Sequence, residues 1–269
     1  MHDWAEVSGE VERLLRLKTY PIAYKKLEKA EELEKIPGVQ RFDRTFNYCQ
    51  LPTLVRRGGW TIGVTKDNLG ARCARLNGLA ATTEEAVRRE AKLFGSCSWF
   101  ATEEEAMKQQ AAYPPLIPPG EALILAPLAD GKFDPDVILI YGDPSQLMLL
   151  MCGLQFKDYE RLQFYFTGEG ACVDSLAQCY TSGKPALAVP CWGERRLGGV
   201  TDDELVMALP PGFIGKAIEG LHGLAERGMR YPLRNRGAEM SADSGLVSVY
   251  PGPTRTASEF GGYKLIHQR

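Results

Sequence analysis

The sequence predicts a mixed α/β or α+β fold, packed as a single compact sheet-and-helix domain. Three observations carry that prediction. Short apolar strand signals alternate with amphipathic helix signals, with no linker between them. The 269 residues, 44% hydrophobic and 25% charged, suffice to bury a full core. No self-similarity appears at solenoid periods. The domain is expected over residues 1–230. Beyond it the chain turns polar and glycine-rich, which predicts an extended C-terminal arm over 231–269.

The elements follow in order. Val7 to Leu17 carries Val11, Leu14, Leu15 and Leu17 on one side, as an amphipathic helix does. Tyr20 to Tyr24 reads as a short strand and Lys25 to Glu34 as a charged helix. Asp43 to Val55 reads as a helix closed by Gly58-Gly59, and Trp60 to Val64 as a strand leading to a helix that holds Cys73. Thr83 to Leu93 and Thr102 to Ala112 share one design, a threonine N-cap followed by glutamates in the first turn. Tyr113 to Gly120 holds four prolines and is extended. Glu121–Pro127, Val137–Tyr141 and Leu162–Phe166 are the expected central strands, with a short helix over Ser145 to Cys152. Ala171 to Tyr180 reads as a helix and Ala186 to Pro190 as a strand. Leu205 to Leu209 is a strand, and Pro211 to Arg227 a helix that starts on proline.

Composition removes several classes of function. A net charge of −2 gives no basic footprint for nucleic acid. No apolar run approaches membrane-spanning length, and the start lacks the pattern of a signal peptide. A cytoplasmic setting is therefore expected, where thiols stay reduced. The seven cysteines are Cys49, Cys73, Cys97, Cys152, Cys172, Cys179 and Cys191. No C-x-x-C pair occurs among them, so a metal site would have to gather cysteines from distant segments. The three histidines, His2, His222 and His267, supply imidazole chemistry poorly.

The most informative stretch is FTGEGACVDSLAQCY, residues 166–180. Gly168 and Gly170 break the preceding strand, and Cys172 falls in the first turn of the helix that follows. Free N–H groups and the helix dipole there lower a thiol's pKa and could cradle an anion. The alternative is that Cys172 is a small core residue. Cys191 follows a second strand, beside Gly193, Arg195 and Arg196. Those arginines suit a carboxylate or phosphate, or else pair internally with Glu194, Asp202, Asp203 or Glu204. Cys49 and Cys73 lie near Arg56, Arg57, Arg72 and Arg75, cations that favour thiolates or else simply face solvent. Cys179 is two turns from Cys172 and reads as core, as does Cys152 in its apolar run. Gly142-Asp143-Pro144-Ser145 sits between strand and helix, where open sheets line ligand crevices.

The string DPDVILIYGDPSQLMLL over 134–150, with TYPIAYKKL upstream and VPCWGERRLGGVTDDELVMALP downstream, resembles the family called domain of unknown function 169. The resemblance spans roughly residues 10 to 228. It implies a soluble, cysteine-bearing prokaryotic protein, often from anaerobes, and supplies no reaction. Cys49, Cys73 and Cys172 fall in segments that resemble cysteine-bearing segments of the family.

Three functions remain open. The first is a metal or iron–sulfur protein, a redox enzyme acting on a small anionic or aromatic molecule, with Cys49, Cys73, Cys172 and Cys191 as ligands. The second is an enzyme without metal, cofactor-independent or with an organic cofactor, in which Cys172 is the nucleophile and arginines fix an anionic substrate. Cys172 and Arg195 are the candidate catalytic residues, and Gly168, Gly170 and Arg196 the candidate cofactor-binding residues. The third is a binding or accessory protein without turnover. A small-molecule ligand is the expected partner in each case, and a homo-oligomer is compatible with all three.

Overall fold

The computed structural model describes residues 3–96 and 99–232. Cys97 and residues 233–269 of the expected arm lie outside the described residues. In chain order the elements are α1 (Trp4–Leu15), β1 (Ile22–Leu27), α2 (Gln50–Gly58), β2 (Ile62–Thr65), α3 (Ala71–Leu76), α4 (Glu84–Ser96), α5 (Glu103–Ala111), β3 (Ala122–Pro127), β4 (Val137–Gly142), α6 (Pro144–Gln155), α7 (Gln178–Ser182), β5 (Ala186–Ala188), α8 (Trp192–Arg196), β6 (Leu205–Leu209) and α9 (Ile214–Glu226).

The strands form one six-stranded sheet in the order β2-β3-β1-β4-β6-β5. Every pairing is antiparallel, so of the two expected classes the sheet belongs to α+β. Ile22 of β1 faces Pro127 of β3 on one side and Leu139 of β4 on the other. Side chains alternate across a strand, and β4 shows the result. Ile138 and Ile140 join Met207, Leu209 and the helices α1, α6 and α9 in one core. Val137, Leu139 and Tyr141 join Tyr48, Leu51, Val55 and Leu176 in another, on the opposite face. β3 and β4 are buried along their whole length because both faces are covered.

The first face is closed by tight helix packing. α6 lies against α9, and a Cβ added at Gly220 would overlap the Gly153 carbonyl. The segment Gly142-Asp143-Pro144-Ser145 serves as the cap of α6. Asp143 Oδ1 accepts the Gln146 N–H at 2.9 Å, and Gln146 Oε1 accepts the Asp143 N–H at 2.8 Å. At the opposite side of the sheet Arg56 is fully buried. Its Nη2 donates to Glu204 Oε2 at 3.0 Å, its Nη1 donates to Oε1, and its guanidinium lies 4.4 Å from the centre of the Tyr141 ring.

Four expectations need correction. Leu162–Phe166 is not a strand. Leu162 and Phe164 pack against the core of the α6–α9 face while Tyr165 and Phe166 stay more than half exposed, so the stretch covers the core as irregular chain. Lys25 to Glu34 is not a helix. β1 runs on to Leu27, and a 3-10 helix follows over Ala30–Lys35. The helix expected from Asp43 begins only at Gln50. Cys152 is half-buried rather than core, its Sγ 3.6 Å from Met148 Sδ.

Candidate functional site

The four cysteines meet on the face of the sheet opposite α1, α6 and α9. Cys49 is the N-cap residue of α2, which Leu51 and Val55 anchor in the core. Cys73 lies on α3, whose neighbouring Ala74 is buried. Cys172 lies in the first turn of the helical segment that begins at Ala171, passes through a π-helical stretch over Val173–Ala177 and ends as α7. Cys191 is the N-cap residue of α8. All four line one cavity of about 390 Å³. One glycine permits the approach: a Cβ at Gly198 would overlap the Cys49 carbonyl, whereas one at Gly193 would stand in ordinary contact, 3.7 Å from both Cys191 Sγ and Cys49 Sγ. A second cleft, between Lys18, Arg57 and Asp143, contains no cysteine.

Burial governs these thiols. It pushes Cys49 up to about 12, with Cys73, Cys191 and Glu194 adding to the effect. It also pushes Cys172 well above the usual thiol value, although the Arg72 cation pulls the other way. The expectation of an acidic Cys172 therefore gives way: the loss of solvent outweighs the helix start. Cys73 and Cys191 are raised for the same reason, against backbone N–H groups that favour their thiolates. Free of metal, all four are neutral thiols near pH 7. Among the described residues, no three His, Cys, Asp or Glu side chains are already set as a ligand cluster for one ion.

The surroundings divide into an apolar rim and three charged groups, Glu194, Glu169 and Arg72. Leu93, Phe94, Trp99, Trp192 and Leu197 line the mouth. The Trp99 and Trp192 rings lie 5.7 Å apart, inclined at 59°. Glu194, buried to 2% exposure, closes the floor. Its Oε1 accepts the Tyr141 hydroxyl at 3.1 Å, while Oε2 has no hydrogen-bond partner. Burial raises its pKa to about 7, against the Tyr141 hydrogen bond and the charges of Arg56 and Arg195. Arg72 is the cation that lines the cavity. Its Nη2 donates to the Tyr113 hydroxyl at 2.9 Å, and its Nε lies 3.4 Å from Glu90 Oε2.

The other residues singled out in the sequence lie elsewhere. Arg195 donates to the Thr201 carbonyl at 2.6 Å and pairs with Asp202 at 3.5 Å, which is the internal pairing weighed against anion binding. Arg196 is exposed, and neither arginine lines the cavity. Gly168, at φ 85°, and Gly170, close to the Thr167 and Tyr113 side chains, shape the loop before Cys172 without lining the cavity. Cys179 is core. Sequence reasoning passed over Trp99 and Tyr48 and took Glu194 only as an ion-pair partner. The one available signal was spacing: Glu194 follows Cys191 by three residues, one helical turn.

The chain resembles an uncharacterized protein of Methanocaldococcus jannaschii, 26% identical over 222 residues that cover 81% of this chain and 95% of that protein. No solved structure matches. Residues 10–220 match the family described as Uncharacterised ArCR, domain of unknown function 169, and over that span the chain belongs to it.

Proposed function

We propose that this chain is a cysteine-dependent metal or iron–sulfur binding protein, a redox enzyme acting on a small anionic or aromatic molecule. The observation that carries the reading is the convergence of Cys49, Cys73, Cys172 and Cys191 on one cavity. Thiolates select soft metals and iron–sulfur clusters. A single tetrahedral zinc at about 2.3 Å from each sulfur would need the four thiols drawn close around one point. An iron–sulfur cluster would instead take the same four thiols around a wider centre. Binding would release protons, because the metal-free thiols are protonated.

A second reading is a binding protein without turnover, and the apolar rim of the cavity favours it. Purification without oxygen, followed by an absorption spectrum and metal analysis, separates the two. The metal reading expects a chromophore or bound metal that is lost when any one of the four cysteines becomes alanine and kept in Cys152→Ala. Protein that carries no metal and takes up neither iron with sulfide nor zinc would leave the binding reading in its place.

A further inference from the structure

We propose that Arg72 is the anion anchor of the four-cysteine cavity and that its ligand is a small aromatic acid, held with its ring against the apolar rim. The inference deepens the reading above by naming the ligand class of the same cavity, and it does not require that a metal be bound.

Arg72 is left with a charge that no carboxylate among the described residues fully pairs. One carboxylate, Glu90, serves two guanidiniums. Arg75 takes it bidentately, Nε to Oε1 at 3.0 Å and Nη2 to Oε2 at 2.6 Å, with both side chains buried. Arg72 has only the long 3.4 Å approach to the same carboxylate. Its other partners are neutral. They are the Tyr113 hydroxyl at 2.9 Å, the Glu169 carbonyl at 3.4 Å and the face of Phe94, whose centre is 4.7 Å from the guanidinium carbon. The Glu169 carboxylate, which also lines the cavity, accepts the Trp192 backbone N–H at 3.2 Å instead. Among the described residues, nothing hydrogen-bonds Arg72 Nη1. Arg72 is three-quarters buried, its buried Nε makes no hydrogen bond, and its Nη1 bonds none of the described protein groups, so an acceptor entering the cavity would complete the guanidinium.

The walls state what the acceptor should be attached to. Phe94 and Leu93 come from α4, and Trp99 lies beyond its end in the chain. Trp192 and Leu197 come from α8 and its end. Trp99 and Trp192 are 40% and 49% exposed, a large apolar surface to leave in water at the mouth of a cavity. Inorganic phosphate would satisfy the fork and leave these rings wet. A flat apolar ring would cover them and leave the fork unpaired. An aromatic carboxylate does both, and the cavity volume lies within the range of about 300–1,000 Å³ that small ligands occupy.

The test uses full-length, metal-free, reduced protein with benzoate as probe, and benzamide and acetate for comparison, followed by tryptophan fluorescence and calorimetry. Benzoate is expected to bind saturably and more tightly than either comparison. Arg72→Gln should weaken benzoate by about tenfold or more and abolish its advantage over benzamide. Arg72→Lys, which keeps the charge in the same place, should recover part of it. Trp192→Ala should weaken benzoate and benzamide alike. Benzoate binding no tighter than benzamide, or unchanged in Arg72→Gln with native thermal melting, overturns the proposal. So does an Arg72→Gln variant that loses metal yet keeps benzoate affinity, for Arg72 would then be the countercharge of the thiolates. Benzoate binding as described by a protein that never takes up metal would remove the metal reading and leave this one standing.

Discussion

Replacing Glu194 by glutamine should make the metal-free protein more stable at pH 8 than the unaltered chain, relative to the same comparison at pH 5. Glu194 is almost fully buried, and its pKa rises from 4.5 to about 7 on folding because burial outweighs the Tyr141 hydrogen bond and the Arg56 and Arg195 charges. Below pH 4.5 both folded and unfolded chains hold the proton, and the group contributes nothing. Between pH 4.5 and 7 the unfolded chain releases a proton that the native state retains, so stability falls as pH rises. Above pH 7 the full penalty applies, and the shift from 4.5 to about 7 corresponds to about 3 kcal/mol. Glutamine keeps an acceptor for the Tyr141 hydroxyl and carries no titration. The difference between the two proteins should therefore grow by about 3 kcal/mol from pH 4.5 to pH 8, or several degrees in Tm for a chain of this size. Other groups that titrate in this window, such as Lys26 at about 8, are common to both proteins and cancel. Urea unfolding at a series of pH values measures the difference directly. A difference that stays flat across the window would refute the account of Glu194 as a desolvated carboxyl.

Two further predictions concern the frame that holds the cavity. Glu204→Ala leaves Arg56 buried without its carboxylate partner and should cost about 3 kcal/mol in urea unfolding at pH 7. Burial works against the Glu204 charge, but Arg56 and the Thr201 N–H prevail and hold its pKa at about 2, so this contribution should vanish in the unaltered protein as pH falls from 4.5 towards 2. Gly220→Ala pushes a methyl into the Gly153 carbonyl between α6 and α9, and should cost about 1–3 kcal/mol or more, with a lowered Tm as the readout.

What could be read from the sequence follows from how locally each feature is determined. β3 and β4 were legible because both their faces are buried, which leaves unbroken apolar runs. From sequence β1 ends early because Lys25 and Lys26 interrupt the pattern. In the fold the Lys25 Nζ reaches the Asp134 carbonyl at 2.9 Å and the Lys26 Nζ the Asn77 carbonyl at 2.7 Å, so long side chains carry their charge past the strand to its polar surroundings. Leu162–Phe166 has strand composition but no strand beside it, and pairing is not a local property. Cys152 sits in an apolar run all round. Packing against the sheet, α1 and α9 decides that Leu147, Leu150 and Leu154 turn inward while Met148 remains 38% exposed. The cysteines were picked out by glycines and helix starts, which are local signals. The identity of the cavity's arginine was not, because Arg195 and Arg72 differ only in the tertiary partners they meet.

The dispersal of the four thiols has a thermodynamic consequence. Two cysteines in a C-x-x-C pair can hold a metal before a chain has folded. Here the ligands proposed come from the start of α2, from α3, from the helix after Gly170 and from the start of α8, so the cavity exists only once the sheet has brought these segments together. A soft metal that binds this cavity and not the unfolded chain must then stabilise the fold by mass action, by about 4 kcal/mol at a thousandfold excess over its Kd. Cadmium, a soft thiophilic probe, added to the reduced metal-free protein should raise Tm, and the rise should grow with pH as the buried thiols yield their protons more easily. Cys152→Ala should keep the effect. Alanine at any one of Cys49, Cys73, Cys172 or Cys191 should remove most of it, since the remaining three thiols no longer close the site. An equal rise in Tm for the unaltered chain and for all four variants would mean that cadmium binds elsewhere, and that the four thiols share a cavity without acting as one ligand set.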